Sequence, residues 1–162
     1  MKKILILCLI LIIPHCGFSP VYQSNQINYQ ININKIEGDK IINSKIKSEI
    51  ERISDKNVQK IFNIQINTKY EKIVAAKNSK GSITDYLLIA TATFIISDNE
   101  KKETIVFQEK QNIKNNSDFV EQRNYENTIK KNFAASFVKK LNLDIFSWLL
   151  INLLPFLKSF SA

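Results

Sequence analysis

The sequence predicts an α+β fold: a two-layer sandwich in which two helices cover one face of a four-stranded mixed sheet. Three observations predict it. Apolar and polar residues alternate with period two in several segments, which is typical of strands with one solvated face. In two other segments apolar residues recur at helical spacing. The segments follow one another in the order β-α-β-β-β-α, and the amphipathic helices of such a chain pack on one face of the sheet.

The first strand is predicted at residues 27–34, where Ile and Tyr alternate with Asn and Gln. Gly38 and Asp39 end this strand, and Asp39 can cap the helix that is predicted at residues 40–53. Isoleucines at helical spacing form the expected buried stripe of this helix: Ile42, Ile46, Ile50 and Ile53.

Three further strands are predicted to form hairpins. Residues 61–76 alternate again, and Gly81 lies in the turn that follows, because glycine readily adopts a positive φ. Residues 85–97 are the most apolar part of the domain and are predicted to be a central strand. A polar hairpin tip at residues 98–102 then leads into the last strand, at residues 103–113.

A long final helix is predicted after the capping residues Asn116 and Ser117. Its expected buried stripe recurs every four residues and is joined by two small side chains: Tyr125, Ile129, Phe133, Phe137 and Leu141, with Ala134 and Val138. The lysines of this helix are expected on its outer face: Lys130, Lys131, Lys139 and Lys140.

The N-terminus resembles a bacterial lipoprotein export signal. Two lysines precede an apolar stretch at residues 4–13, which is too short to span a membrane, since a spanning helix needs about 20 apolar residues. A lipoprotein signal ends at a cysteine that is acylated and becomes the first residue, and Cys16 has that position. His15 departs from the small residue that usually precedes this cysteine. We predict a signal at residues 1–15 and lipid attachment at Cys16; an uncleaved hydrophobic anchor is the alternative.

The rest of the chain is predicted to be one domain with extensions at both ends. A lipidated tether at residues 16–26 leads into the sandwich at residues 27–143, and an apolar tail follows at residues 144–162. Asp144 and Asn152 interrupt the tail, which argues against a transmembrane helix. We expect the tail to lie along a membrane interface, to be buried against a partner or to pack on the protein's own sheet.

The composition excludes several kinds of catalytic site. The only histidine is His15, and the only cysteine besides Cys16 is Cys8. Both would be removed with the signal at residues 1–15, so the processed chain would have no histidine base, zinc site or disulfide. Three glycines are too few for a glycine-rich phosphate loop. We therefore predict that the protein is not an enzyme and takes no cofactor or metal.

The chain is basic, with 23 Lys and Arg residues against 15 Asp and Glu residues and a formal net charge of +8. This charge favours acidic partners such as anionic lipid head groups or a phosphorylated glycolipid, although an AT-rich genome also explains many lysines. Export argues against a nucleic-acid partner.

Three segments resemble the LptE family of lipopolysaccharide-assembly lipoproteins, in its alphaproteobacterial form. They are CGFSPVY from Cys16, YLLIATATFIISD in the central strand and NNSDFVEQRNYENTIKKNFAASFVKKL in the last helix. The resemblance covers about residues 16–143, and the tail departs from it. It implies a lipid-anchored outer-membrane lipoprotein on the periplasmic side. Such a protein plugs an LptD-type β-barrel, helps that barrel assemble and assists delivery of lipopolysaccharide to the cell surface.

Lys77 and Lys80, beside the turn before the central strand, are the candidate contacts to lipid A phosphates. Gly17, in place of an aspartate after Cys16, agrees with sorting to the outer membrane. Other functions stay open: an auxiliary lipoprotein of a periplasmic lipid-transport system, a lipid-anchored hydrolase with a convergent acid–base pair, or a basic RNA-binding sandwich that stays in the cytoplasm.

Overall fold

Four strands and two helices follow one another in the predicted order β-α-β-β-β-α. The structure is a computed structural model that describes residues 29–54, 58, 60–98 and 101–158, with side chains described as far as residue 147. The strands are β1 (Gln30–Gly38), β2 (Ile61–Lys77), β3 (Ile83–Ser97) and β4 (Lys102–Lys114). The helices are α1 (Lys40–Ile53) and α2 (Phe119–Lys158).

The sheet is mixed, as predicted. Its strand order is β1-β2-β3-β4, with β1 parallel to β2 and the other neighbouring pairs antiparallel. Side chains of alternate residues are buried on one face of the sheet, where they form a single core with both helices. The predicted α+β sandwich is therefore confirmed.

Strand β1 contains a bulge that the sequence pattern concealed. Ile31 and Ile33 lie beside the core-facing residues of β2, and the register then shifts between Ile33 and Lys35. The shift places Ile36 opposite Ile66, so the spacing of core-facing residues changes from two to three. Period-two alternation covers only residues 27–34 because it fails at the bulge, but the observed strand ends at Gly38, the break that the sequence predicted. The predicted start at residue 27 lies outside the described residues.

Helix α1 has the predicted bounds because its signals are local. The Asp39 carboxylate accepts hydrogen bonds from the backbone N–H groups of Ile41 and Ile42, at 3.0 and 3.1 Å. An N-cap of this kind satisfies donors that have no partner inside the helix. The isoleucines at helical spacing are fully buried at three positions: Ile42, Ile46 and Ile50.

Helix α2 differs from the prediction at its first turns. Its cap is Asp118, whose carboxylate accepts from the N–H groups of Val120 and Glu121, while the predicted cap Asn116 accepts from the Asp118 N–H. Tyr125, predicted to be buried, is 50% exposed. The remaining stripe is buried as predicted and is extended by Ile145: Ile129, Phe133, Ala134, Phe137, Val138 and Leu141.

The physical reason for the error at Tyr125 is that the buried face begins with polar side chains. Gln122 is buried, and its Oε1 accepts a hydrogen bond from the Asn116 backbone N–H at 2.8 Å. Glu126 lies one turn later and pairs with Lys72 of β2. A search for apolar recurrence does not detect such a stripe. The helix continues without a break past Asp144 to Lys158. The predicted boundaries of the signal, tether, domain and tail are not tested by this and remain predictions.

Candidate functional site

The two candidate phosphate-binding lysines lie together on the β2–β3 hairpin. Asn78 organises the turn, because its Oδ1 accepts from the N–H groups of Lys80 and Ser82 at 2.9 and 3.0 Å. Gly81 has a φ of 80°, and its N–H donates to the Asn78 carbonyl. Lys77 ends β2 on one side of this turn. Both lysines are exposed, and neither forms an ion pair with any residue that the structure describes.

The hairpin also carries exposed aliphatic side chains that sequence reasoning missed. Ile73 and Val74 lie on β2 just before the tip, and each is nearly half exposed. One sequence feature could have indicated this exposure: two aliphatic residues are adjacent here, which breaks the period-two alternation of β2 next to the lysines. The hairpin therefore presents cations beside apolar surface.

The start of α2 lies at this same end of the molecule. The Asn115 N–H donates to the Thr84 carbonyl at 2.8 Å, which holds the end of β4 against the start of β3. The first residues of the helix are exposed and apolar, with Phe119 75% and Val120 57% exposed. We call the exposed surface formed by residues 73–82 and 119–120 the hairpin end.

The chain enters the fold at the opposite end of the sheet. Cys16 lies outside the described residues. Tyr29 packs edge-on against Phe62 with ring centroids 5.5 Å apart, and its hydroxyl donates to Asn142 of α2. Burial of this phenol raises the pKa of Tyr29 to about 12, so it stays protonated at physiological pH. The next residue, Gln30, donates its N–H to the Lys60 carbonyl at 2.8 Å. We call this the entry end.

Charged side chains between α2 and the sheet are engaged in structural contacts. Lys130, expected on the outer face of α2, is only 14% exposed; its Nζ lies 2.7 Å from the Asp39 carboxylate and 3.8 Å from the centre of the Tyr70 ring. That expectation is wrong for Lys130. The Lys140 side chain is 44% exposed, and its Nζ lies 2.6 Å from the Glu109 carboxylate of β4. Lys131 and Lys139 are exposed as expected.

These ion pairs shift the pKa values of their carboxyl groups. Burial disfavours the charged form of Asp39, but the Lys130 contact and the backbone N–H donors outweigh it, so the pKa of Asp39 is lowered. The hydrogen bond from Lys140 lowers the pKa of Glu109 despite partial burial, and Ser136 adds a second donor. Burial raises the pKa of Tyr70, and the neighbouring Glu126 carboxylate raises it further. Such contacts fix α2 on the sheet and leave these groups unavailable for a ligand.

The sheet face opposite the helices is open and mixed in character, since Ile89, Ile95 and the 58% exposed Val106 lie on it among polar side chains. Amide and hydroxyl side chains form rows across it: Asn63, Gln65 and Asn67 on β2, Thr91 and Thr93 on β3, and Thr104 and Gln108 on β4. Neighbouring strands are linked along these rows, since Asn32 donates to the Asn63 side chain at 3.1 Å and Gln108 to Thr91 at 3.4 Å. This face offers hydrogen-bonding groups to a partner.

Within the described part of the chain, no three His, Cys, Asp or Glu residues form a group that could hold a metal ion. Every buried polar side-chain atom in that part has a hydrogen-bond partner. The predicted absence of an enzymatic activity stays a prediction.

None of the helices that the structure describes has the length and apolarity to cross a bilayer.

The fold is similar to that of three solved bacterial lipoproteins. Rare lipoprotein B from Shewanella oneidensis has a TM-score of 0.54 at 10% identity, over 74% of this chain and 98% of that chain. An uncharacterized lipoprotein B from Nitrosomonas europaea has a TM-score of 0.53 at 13% identity, over 80% of this chain and 92% of that chain. A putative lipoprotein from Caulobacter crescentus has a TM-score of 0.50 at 9% identity, over 75% of this chain and 91% of that chain.

No family model matches the sequence, and no curated protein matches it. At these low identities the likeness shows the fold, which this chain shares with bacterial lipoproteins. None of the three names denotes an enzymatic activity. Membership of the LptE family stays a prediction from the sequence, as do Cys16, Lys77 and Lys80 as site residues.

Proposed function

We propose that the protein is an outer-membrane lipoprotein, anchored through Cys16 on the periplasmic side. There it plugs an LptD-type β-barrel, helps it assemble and assists delivery of lipopolysaccharide to the cell surface. The observation that carries the proposal is the sandwich fold shared with rare lipoprotein B over almost the whole length of that protein. The signal-like N-terminus and the CGFSPVY segment support it independently, because neither contributes to the structural similarity of the described residues.

The open sheet face supports the contact with a barrel. Large membrane barrels have a polar interior, and a plug has to offer hydrogen bonds to that wall without burying unpaired groups. The rows of amide and hydroxyl groups on β2, β3 and β4 are neutral and can both donate and accept.

The hairpin end supports the contact with lipopolysaccharide. Lipid A carries phosphates next to acyl chains, and the hairpin carries Lys77 and Lys80 next to Ile73 and Val74. Lysine binds phosphate as a point charge, and the aliphatic side chains can cover the adjoining acyl groups.

The partner is tested by purification from native membranes. A C-terminally tagged chain extracted in mild detergent should co-purify with a large outer-membrane β-barrel, and mass spectrometry of its N-terminal peptide should find an acylated Cys16. Recovery of the acylated chain without any barrel overturns the plug function. Recovery with a permease or a lipid-transfer protein instead favours an auxiliary role in periplasmic lipid transport.

The ligand is tested with charge variants. The double variant Lys77→Ala/Lys80→Ala should bind purified lipopolysaccharide at least fivefold more weakly than the wild type. The matched control is Lys131→Ala/Lys139→Ala, which removes two exposed charges from α2 and should bind within twofold of the wild type. Equal losses in both variants would mean that net charge, and not the hairpin, determines binding.

A further inference from the structure

We propose that the C-terminal part of α2, from Leu143 onward, lies on the lipid bilayer to which the N-terminus is anchored and forms a second membrane contact. The inference rests on the proposed membrane attachment of the chain, but it does not depend on a barrel or on lipopolysaccharide.

The described start of the chain and the C-terminal part of α2 both lie at the entry end. Tyr29, the first described residue, touches Asn142 of α2 and Phe62 of β2. Ile145 is buried one turn further along α2 and lines the same narrow cleft as Phe62 and Ile96. The described sheet ends there, whereas α2 continues to Lys158.

The lengths of the two extensions are compatible with one surface. The helical residues 146–158 extend about 20 Å past the buried Ile145, at about 1.5 Å per residue. The segment between Cys16 and Tyr29 can reach at most about 45 Å when fully extended, at about 3.5 Å per residue. An anchored Cys16 therefore keeps the helix extension within reach of the same bilayer. At the high effective concentration that such a link creates, even a weak second contact is populated.

The described start of this segment, residues 143–147, exposes large apolar side chains beside the polar side chains of Asp144 and Ser147. Leu143 and Phe146 are 59% and 49% exposed, and side chains three residues apart are neighbours on a helix surface. The sequence that follows is rich in Leu, Ile and Phe, and its only charged residue as far as Lys158 is that lysine. Interfacial helices combine apolar area with a basic residue that meets anionic head groups, and tryptophan is favoured at that depth.

Trp148, the only tryptophan of the chain, reports directly on this segment. The full chain is reconstituted in vesicles of phosphatidylethanolamine and phosphatidylglycerol, with and without brominated acyl chains, which quench tryptophan only on contact. We expect at least twofold quenching by the brominated lipid. The variant Leu143→Ser/Phe146→Ser should reduce the quenching markedly. The matched control Phe119→Ser/Val120→Ser removes exposed apolar surface from the hairpin end and should leave quenching unchanged; circular dichroism verifies folding of both variants.

Unquenched Trp148 in vesicles that retain the chain overturns the inference while membrane anchoring stands. Absence of quenching together with a dimer in sedimentation analysis overturns it as well, in favour of a second copy covering the segment. Quenching that appears only when a barrel protein is present also overturns the inference, because the segment would then reach the bilayer through the barrel partner and not through the anchor. Quenching without any barrel, in a chain that never co-purifies with one, refutes the plug function and supports the membrane contact.

Discussion

Gly38, between β1 and α1, lies too close to β2 for any side chain. Its φ is 108°, and a Cβ built on it would lie 1.8 Å from the carbonyl oxygen of Thr68. Thr68 cannot move easily, because its hydroxyl accepts from the Asp39 N–H at 3.0 Å and donates to the Asn43 side chain at 2.7 Å. The close approach of two backbones therefore requires glycine here.

We expect Gly38→Ala to lower the free energy of unfolding by about 3 kcal/mol or more, because left-handed strain adds to a backbone clash. Urea unfolding followed by circular dichroism measures it. Gly81→Ala is the control: its φ is 80°, but nothing lies within 4 Å of the added Cβ, so only the conformational cost of about 1–2 kcal/mol should appear. Equal losses in the two variants would contradict the clash.

What could be predicted at single residues depended on local chemistry. The roles of Asp39 as a cap and Gly81 as a turn residue follow from neighbours in sequence, and both were predicted. The contact of Gly38 with Thr68 and the inward position of Lys130 depend on residues of other elements. Lysine at a helix surface is usually solvated, so nothing in the sequence around Lys130 indicates a partner as distant as Asp39.

At the scale of elements, the Asp39–Lys130 pair joins α1 to α2 above β2. Because the folded-state pKa of Asp39 is lowered below its ordinary value of 3.8, the pair contributes its full stabilisation above that value. The contribution is lost as the pH falls through the lowered folded-state pKa. Stability should therefore decrease on acidification partly through this carboxyl group.

We expect Asp39→Asn to be less stable than the wild type at pH 6 by about 1–3 kcal/mol, since asparagine still caps α1 but leaves Lys130 without its charge partner. The difference should shrink towards pH 3, because below about pH 3.8 the Asp39 carboxyl group of the unfolded wild-type chain becomes protonated before that of the folded protein. Urea unfolding at both pH values measures it. Glu51→Gln breaks the exposed Lys47–Glu51 pair and should change stability little at either pH. A difference for Asp39→Asn that is as large at pH 3 would contradict an ionic origin.

The elements themselves were predictable to the extent that their signals were regular. Strand β3 and helix α1 follow single periods, and their positions were predicted almost to the residue. Strand β1 changes phase at a bulge, which no periodicity search detects. The candidate site was predicted only in part. The turn places Lys77 and Lys80 together, as predicted, but the exposure of Ile73 and Val74 depends on where the core ends, which only the structure gives.

At the scale of the whole molecule, the features with proposed functions are separated along the sheet. Strand β2 has 17 residues and spans about 55 Å, from the entry end to the hairpin end. Tyr29, the first described residue, and the C-terminal part of α2 lie at the first, and Lys77 and Lys80 lie at the second. An anchor attached at the entry end would therefore be separated from Lys77 and Lys80 by about the length of β2.

This polarity predicts opposite environments for two exposed serines, Ser79 in the hairpin turn and Ser147 on α2. We expect a spin label on Ser147→Cys, in the full chain bound to vesicles, to collide more with oxygen than with a water-soluble nickel complex, because oxygen concentrates in the hydrocarbon region. A label on Ser79→Cys should show the reverse, at nearly its value in vesicle-free protein. Membrane-like accessibility at both positions would mean that the molecule lies flat on the bilayer, and water-like accessibility at both would place the whole domain off the surface. Only opposite environments fit a protein that is held at one end and binds its ligand at the other.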